Sequence, residues 1–203
     1  MRITYHGHSC FTLESMGYRI VLDPYEDGSV PGYAPLRLAA AEVLCSHTHH
    51  DHHGIECITV APMETTPWKK KAFQCPHDDF GGNLRGMNTI HVLEAEGIRV
   101  AHMGDVGCRL SDVLLAQMGR IDVLIVPVGG FFTISPSGAK ELSERLKARI
   151  VIPMHYRTAT AGYDAIGTLN EFTELFPVVH YLDSNTIEGE ALKKDRGVIV
   201  LKA

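Results

Sequence analysis

The sequence predicts a layered α/β protein, and three patterns predict it. Short apolar segments of strand length occur in both halves of the chain, helical patterns separate some of them, and a run of histidines follows directly on one strand. Sheets covered by helices around a buried core satisfy such a pattern. The chain has 203 residues, enough for one well-buried domain over residues 1–203 and too few for two ordinary ones.

The elements follow in order. The chain enters a strand within residues 1–6. Residues 9–13 and 18–22 read as antiparallel strands about Met16-Gly17, and Asp23-Pro24 breaks the sheet. A loop with Gly28, Pro31 and Gly32 leads to residues 36–41, expected as a short helix. Residues 42–46 form a short apolar strand that delivers the histidine run. Lys69-Lys70-Lys71 reads as a solvated surface turn. Residues 88–94 and 98–102 pair about Glu96-Gly97, and residues 122–127 and 149–153 are strands of buried type. Between the last two, Ser135 as N-cap and Pro136 in the first turn open a helix to about Ala148. A second helix is expected over about 165–175, and strands at 178–181 and 198–201 close the chain.

Composition narrows the function classes. The net charge of -5 gives no electrostatic footprint for a polyanion, so a nucleic-acid partner is not favoured. No apolar stretch reaches bilayer length, which argues against a membrane. The N-terminus lacks an apolar signal core, and the cysteines (Cys10, Cys45, Cys57, Cys75, Cys108) are odd in number with no C-x-x-C pair. Reduced thiols in a cytoplasmic protein are expected, without disulfides or a thiolate zinc site.

The unusual count is histidine, at 12, which directs attention to metal ligands. In His47-Thr48-His49-His50-Asp51-His52, His47 and His49 stand two apart at a strand end. Residues i and i+2 of extended backbone point the same way, so both imidazoles can reach one ion. Asp51 and His52 follow in a turn that can direct them to a second position. Imidazole with carboxylate suits Zn, Mn or Fe.

This H-x-H-x-D-H string resembles the signature of the metallo-β-lactamase superfamily. Further segments occur in that family's order. Asp23 ends an early strand; His77 lies in Pro76-His77-Asp78-Asp79-Phe80-Gly81-Gly82; Asp105 follows His102-Met103-Gly104; His155 follows Ile152-Pro153-Met154. Residues 85–90 and 127–133 are similar to the compact bacterial branch related to ascorbate-6-phosphate lactonase. The resemblance implies a four-layer αββα sandwich with metals at one sheet edge. It implies that His47, His49 and His77 bind one metal, that Asp51, His52 and His155 bind the other, and that Asp105 bridges them. Two divalent ions, zinc foremost, would lower the pKa of a bridging water so that hydroxide exists near neutral pH. They would also stabilise the oxyanion that forms when a carbonyl or phosphorus is attacked. Asp51 would then be both ligand and orienter of the nucleophile.

The implied protein is a metal-dependent hydrolase of a small polar or anionic molecule, such as a lactone or phosphodiester. The other classes are a nuclease of the same superfamily, a di-iron redox protein with a separate flavin partner, and a non-catalytic metal sensor. A homo-oligomer is left open. Several residues carry two readings each. His8 either approaches the site or is a strand-end structural histidine. Arg85 either meets an anionic substrate group or ties its loop to a carboxylate. Phe131 and Phe132 either line a pocket mouth or pack in the core, and Tyr156 is a candidate oxyanion donor. His50 and His53 are expected on the solvent side of the cluster, and His91 on a sheet or the surface.

Overall fold

A computed structural model describes residues 1–202. Its strands and helices, in chain order, are β1 (Arg2–Gly7), β2 (Cys10–Ser15), β3 (Tyr18–Leu22), β4 (Leu38–Ala40), β5 (Glu42–Leu44), β6 (Ile58–Val60), β7 (Lys69–Pro76), β8 (Met87–Ala95), β9 (Ile98–His102), α1 (Asp112–Met118), β10 (Val123–Pro127), α2 (Pro136–Leu146), β11 (Ile150–Met154), α3 (Leu169–Thr173), β12 (Val179–Tyr181), β13 (Thr186–Glu188), α4 (Ala191–Lys194) and β14 (Gly197–Val200). One sheet has the order β13-β1-β2-β3-β5 and the other β12-β14-β11-β10-β9-β8-β7, with β4-β6 a separate pair.

Alternation of side chains builds the layers. Ile3, Phe11, Leu13, Ile20 and Leu22 of the first sheet face Leu93, Val100, Val123, Ile125 and Ile152 of the second in one buried cluster. The opposite face of the second sheet, through Ile90, Leu124, Val126 and Val151, packs on Leu115, Met118, Leu142, Leu146 and Phe172 of α1, α2 and α3. The outer face of the first sheet is covered mainly by the segment around Tyr25, Val30 and Leu36 and by β4 and β6. The layered sandwich is as expected, and the cover on that side is loop and short strand more than helix. No helix of the described residues is long and apolar enough to cross a membrane.

Three local expectations need correction. Residues 36–41 are not helical: β4 pairs in parallel with β6, Leu38 opposite Ile58. Local alanine propensity is weak beside a sheet partner. Lys69-Lys70-Lys71 lies in β7, the edge of the larger sheet. Exposed lysines on an edge strand discourage pairing with another chain. The helix expected over 165–175 shrinks to α3; its N-terminal N–H at Thr168 donates to the Glu171 carboxylate at 2.9 Å. The Ser135-capped helix is as read, ending in a left-handed Lys147.

Strand directions bring the chemistry to one edge. β3 and β5 run parallel and end together at Leu22 and Leu44. In the larger sheet, β9, β10 and β11 are parallel and end at the same side. Across the gap the His155 N–H donates to the His8 carbonyl at 2.9 Å, joining the two sheets there.

Candidate metal centre

The loop after β5 is set by Asp23, which follows β3. Its carboxylate accepts from the Ser46 N–H (2.6 Å), the Ser46 hydroxyl (2.6 Å) and His52 Nδ1 (2.7 Å). Since the Ser46 hydroxyl spends its proton on Asp23, it accepts from His47 Nδ1 at 2.9 Å. The network therefore assigns the Nδ1–H form to His47, and the His47 Nε2 lone pair faces the cleft. Burial opposes charge on Asp23, but the neighbouring His52 and His102 and these hydrogen bonds hold its pKa at about 2.

Asp105 is set by another polar clamp. The buried Asn88 side chain donates to the Met103 carbonyl at 2.9 Å and accepts from the Asp105 N–H at 2.8 Å. Gly104 sits at φ +52, and a Cβ there would lie 2.4 Å from Ser46 Cβ, so a side chain would push the two ligand loops apart. Gly107 likewise passes against the His77 backbone, with 2.2 Å to a hypothetical Cβ.

These supports bring all seven expected residues to one place. Ligand atoms of His47, His49 and His77 lie within 4.8 Å of one another; so do those of His8, Asp51, His52 and His155, and those of His47, His52 and Asp105. Asp105 stands between the groups, with one oxygen 3.2 Å from His52 Nε2 and the other 3.3 Å from both His77 Nε2 and His155 Nε2. Nε2 of His47, His52 and His155 and one Asp105 oxygen are buried without a hydrogen-bond partner. Unpartnered buried groups of this polarity are costly. Converging imidazole and carboxylate lone pairs around a shared space fit divalent ions, so the residues present suit the metals the resemblance implied.

Electrostatics agree with a cation-binding role. Burial disfavours charge on Asp105, yet His155 and His52 hold its pKa well below the usual carboxylate value. Asp51 is also lowered: burial opposes ionisation, and the hydrogen bond from His8 and the charge of His52 overcome it. Burial lowers His47 to about 3 and His8 to about 4, so both rings are neutral, the state a metal ligand requires.

The open residues now have places. His8 belongs to the site: its Nε2 lies 3.0 Å from an Asp51 oxygen, and its ring centroid 4.2 Å from that of His155. Its φ of 50° turns it inward at the β1–β2 connection. The sequence signal is His6-Gly7-His8-Ser9, which leaves its partner, 43 positions away, unspecified. His102 uses both ring nitrogens structurally, Nε2 with the Ser9 carbonyl at 3.0 Å and Nδ1 with the Gly104 N–H at 3.3 Å. His50 is exposed and paired with Glu26 at 2.8 Å, and His91 is a sheet residue bonded to the Cys45 carbonyl. Phe131 is exposed and Phe132 lines the cleft. Tyr156 lies apart from the cleft and lines a different cavity; Tyr163 lines the cleft in its place. Asn88 and Asp78 were missed as supports, although Asp78 precedes the visible turn string Asp79-Phe80-Gly81-Gly82.

Two stacked sheets with a histidine–aspartate cluster at their common edge define a protein of the metallo-β-lactamase class. The profile of the family described as "Beta-lactamase superfamily domain" matches residues 2–155, and the chain belongs to that family. It is 30% identical to a UPF0173 metal-dependent hydrolase of Geobacillus sp. strain WCH70, over 78% of this chain and 86% of that protein. A Thermotoga maritima structure, described as a candidate Zn-dependent hydrolase of the metallo-beta-lactamase superfamily, superposes with a TM-score of 0.79 at 35% identity. That match covers 98% of this chain and 97% of the other. Igni18, a metallo hydrolase of Ignicoccus hospitalis, shares the fold at a TM-score of 0.63 and 20% identity, covering 86% of this chain and 89% of Igni18.

Proposed function

We propose that this metal-dependent hydrolase holds two divalent ions, zinc foremost, and cleaves a lactone or phosphodiester bond of a small polar substrate. The carrying observation is the set of unpartnered buried ligand atoms on His47, His52, His155 and Asp105, which face one another across the cleft. His47, His49 and His77 would hold one ion, and Asp51, His52 and His155 the other, with Asp105 reaching both. When bound, the ions supply Lewis acidity and a water acidic enough to be a nucleophile near neutral pH. The imidazole-rich donor set suits zinc, and the Thermotoga maritima relative described as Zn-dependent supports the choice.

The remaining steps belong to the chain. Asp51, held by His8, is a poor proton store because its pKa lies below the ordinary range. It acts by binding and by accepting a hydrogen bond that orients the attacking water. His8 fixes the Asp51 carboxylate rotamer. Asp23 fixes His52, and through Ser46 it fixes His47, so that their Nε2 atoms point inward before any ligand arrives. Phe132 and Tyr163 wall the cleft beside the ligands.

Metal titration of chelator-stripped protein should approach two equivalents. The loaded, colourless protein should hydrolyse a member of a lactone and phosphodiester panel. A plateau at one equivalent removes the dinuclear reading, and an iron-type absorption spectrum with no hydrolysis removes the hydrolytic one.

A further inference from the structure

Among the described residues Arg85 is the one arginine or lysine lining the metal cleft, and no carboxylate side chain neutralises it. It shares a space of about 360 Å³ with His49, Asp51, His77 and Asp105. Its guanidinium carbon lies 5.5 Å from the centroid of the Phe132 ring, in cation–π contact. No carboxylate lies within ion-pair distance of it, whereas most other arginines, among them Arg2, Arg19, Arg37, Arg109 and Arg145, are paired. The reading in which Arg85 ties its loop to a carboxylate side chain therefore fails.

The loop is instead tied by its backbone. Asp78, 2% exposed, accepts four N–H bonds: Phe80 (2.8 Å) and Gly82 (2.9 Å) on one oxygen, Leu84 (2.9 Å) and Arg85 (2.7 Å) on the other. One carboxylate thus winds residues 78–85 around itself, directly after His77. The His77 N–H also donates to the Gly86 carbonyl at 3.0 Å. The loop that presents a metal-facing imidazole presents a half-buried guanidinium on the same side, and its backbone is fixed without using the guanidinium's donors. A planar guanidinium braced on an aromatic face offers a fork matched to a carboxylate or phosphate.

We propose that Arg85 selects an anionic substrate: one whose carboxylate or phosphate, separate from the bond cleaved, binds the guanidinium while the scissile group meets the metal cluster. The inference rests on the hydrolytic reading of the cleft. Neutral lactones and esters lacking such an oxyanion would be poor substrates.

The test compares wild type with Arg85→Gln and Arg85→Lys, each loaded with zinc and with metal content measured. Phenylphosphonate and glutarate are titrated as oxyanion probes by calorimetry, and 4-nitrophenyl acetate is compared with 4-nitrophenyl hemiglutarate as a neutral and anionic pair. Arg85→Gln should weaken binding of at least one probe by roughly 10- to 100-fold, with Arg85→Lys intermediate. It should raise KM for the hemiglutarate alone and leave kcat/KM for the acetate within about twofold. The arm that responds separates phosphate-type from carboxylate-type recognition. Unchanged probe binding in Arg85→Gln, or an equal loss on both esters, overturns the inference. Failure to hydrolyse either ester or any member of the lactone and phosphodiester panel, while Arg85-dependent probe binding persists, strikes the hydrolytic reading and leaves the anion site standing.

Discussion

The two loops that meet at the cluster are each organised by a buried aspartate, and the two aspartates do different work. Asp23 serves the loop after β5 through side chains: it holds the His52 ring and the Ser46 hydroxyl, and only one of its contacts is a backbone N–H. Asp78 serves the loop after β7 through backbone alone, with four N–H groups on its two oxygens. The difference follows from where the ligands sit. His47 and His49 lie in the bend after β5, where the backbone is already held at Ser46 by its N–H on Asp23 and its carbonyl on the Thr89 N–H at 2.8 Å, so the ring orientation is what remains to be fixed. His77 begins a loop, so the backbone itself has to be held. One aspartate tunes imidazoles, and the other shapes a chain.

That contrast makes the first loop the site of the larger effects. Asp51→Ala should lower turnover by roughly 10³-fold, since orientation of the nucleophile and one ligand are lost together. Circular dichroism should remain near wild type, because the side chain lies outside the three hydrophobic clusters. Retention of most activity would take Asp51 out of the mechanism. Next come His77→Ala and His102→Ala. The first should lose one metal equivalent and keep its melting temperature in the metal-free state. The second should keep two equivalents and melt lower, because two buried hydrogen bonds disappear. The reverse pattern in metal analysis would exchange their roles.

What the sequence revealed follows the same division. His47 and His49 were legible as a ligand pair because they stand two apart just after an apolar strand, although β5 ends at Leu44 and both sit in the bend that follows. Buried strands 122–127 and 149–153 and the Ser135-Pro136 helix start were legible from local chemistry. Asp105, His77 and His155 came from the resemblance, since no local pattern says that three distant loops converge. His8 stayed ambiguous because its role depends on Asp51, a contact across the fold. The error at residues 36–41 has the same origin: β4 exists because β6 lies beside it. Helix α1 was overlooked despite its Ser111 cap, which accepts from the Leu114 N–H.

Asp23→Asn sharpens the comparison at intermediate size. An amide cannot accept equally from His52 and Ser46 at both positions, so metal affinity should fall roughly 10- to 100-fold, read by competition with a chelator. The pH dependence of the metal-free protein reports the same network. His8 and His47, lowered by burial to about 4 and about 3 from 6.5, are protonated in the unfolded chain but not in the fold below pH 6.5. Stability therefore falls as pH drops from 6.5 toward 3. His52 has the opposite sign: burial opposes its charge, but Asp105 and Asp23 raise its pKa well above 6.5. Its contribution is full below pH 6.5 and is lost as pH rises through the raised value. The melting temperature of metal-free protein should peak near pH 6.5, and added zinc, which displaces the His52 proton, should remove the alkaline decline. A metal-free melting temperature that climbs steadily through pH 8 would contradict the His52 assignment.

The smallest effect should come from Asp78→Asn. One oxygen remains to accept two N–H bonds, so half of the backbone winding survives while Leu84 and Arg85 lose their acceptor if the amide nitrogen takes that side. His77 itself keeps independent anchors, its N–H on the Gly86 carbonyl at 3.0 Å and the Gly107 N–H on the Pro76 carbonyl at 3.2 Å. Two metal equivalents should therefore still bind. The change should appear at the far end of the loop, as faster amide exchange at residues 84 and 85 and a KM for an anionic ester raised by roughly two- to fivefold with kcat little altered. Loss of a metal equivalent in Asp78→Asn would mean that the backbone winding also holds His77, and the division of labour between the two aspartates would collapse.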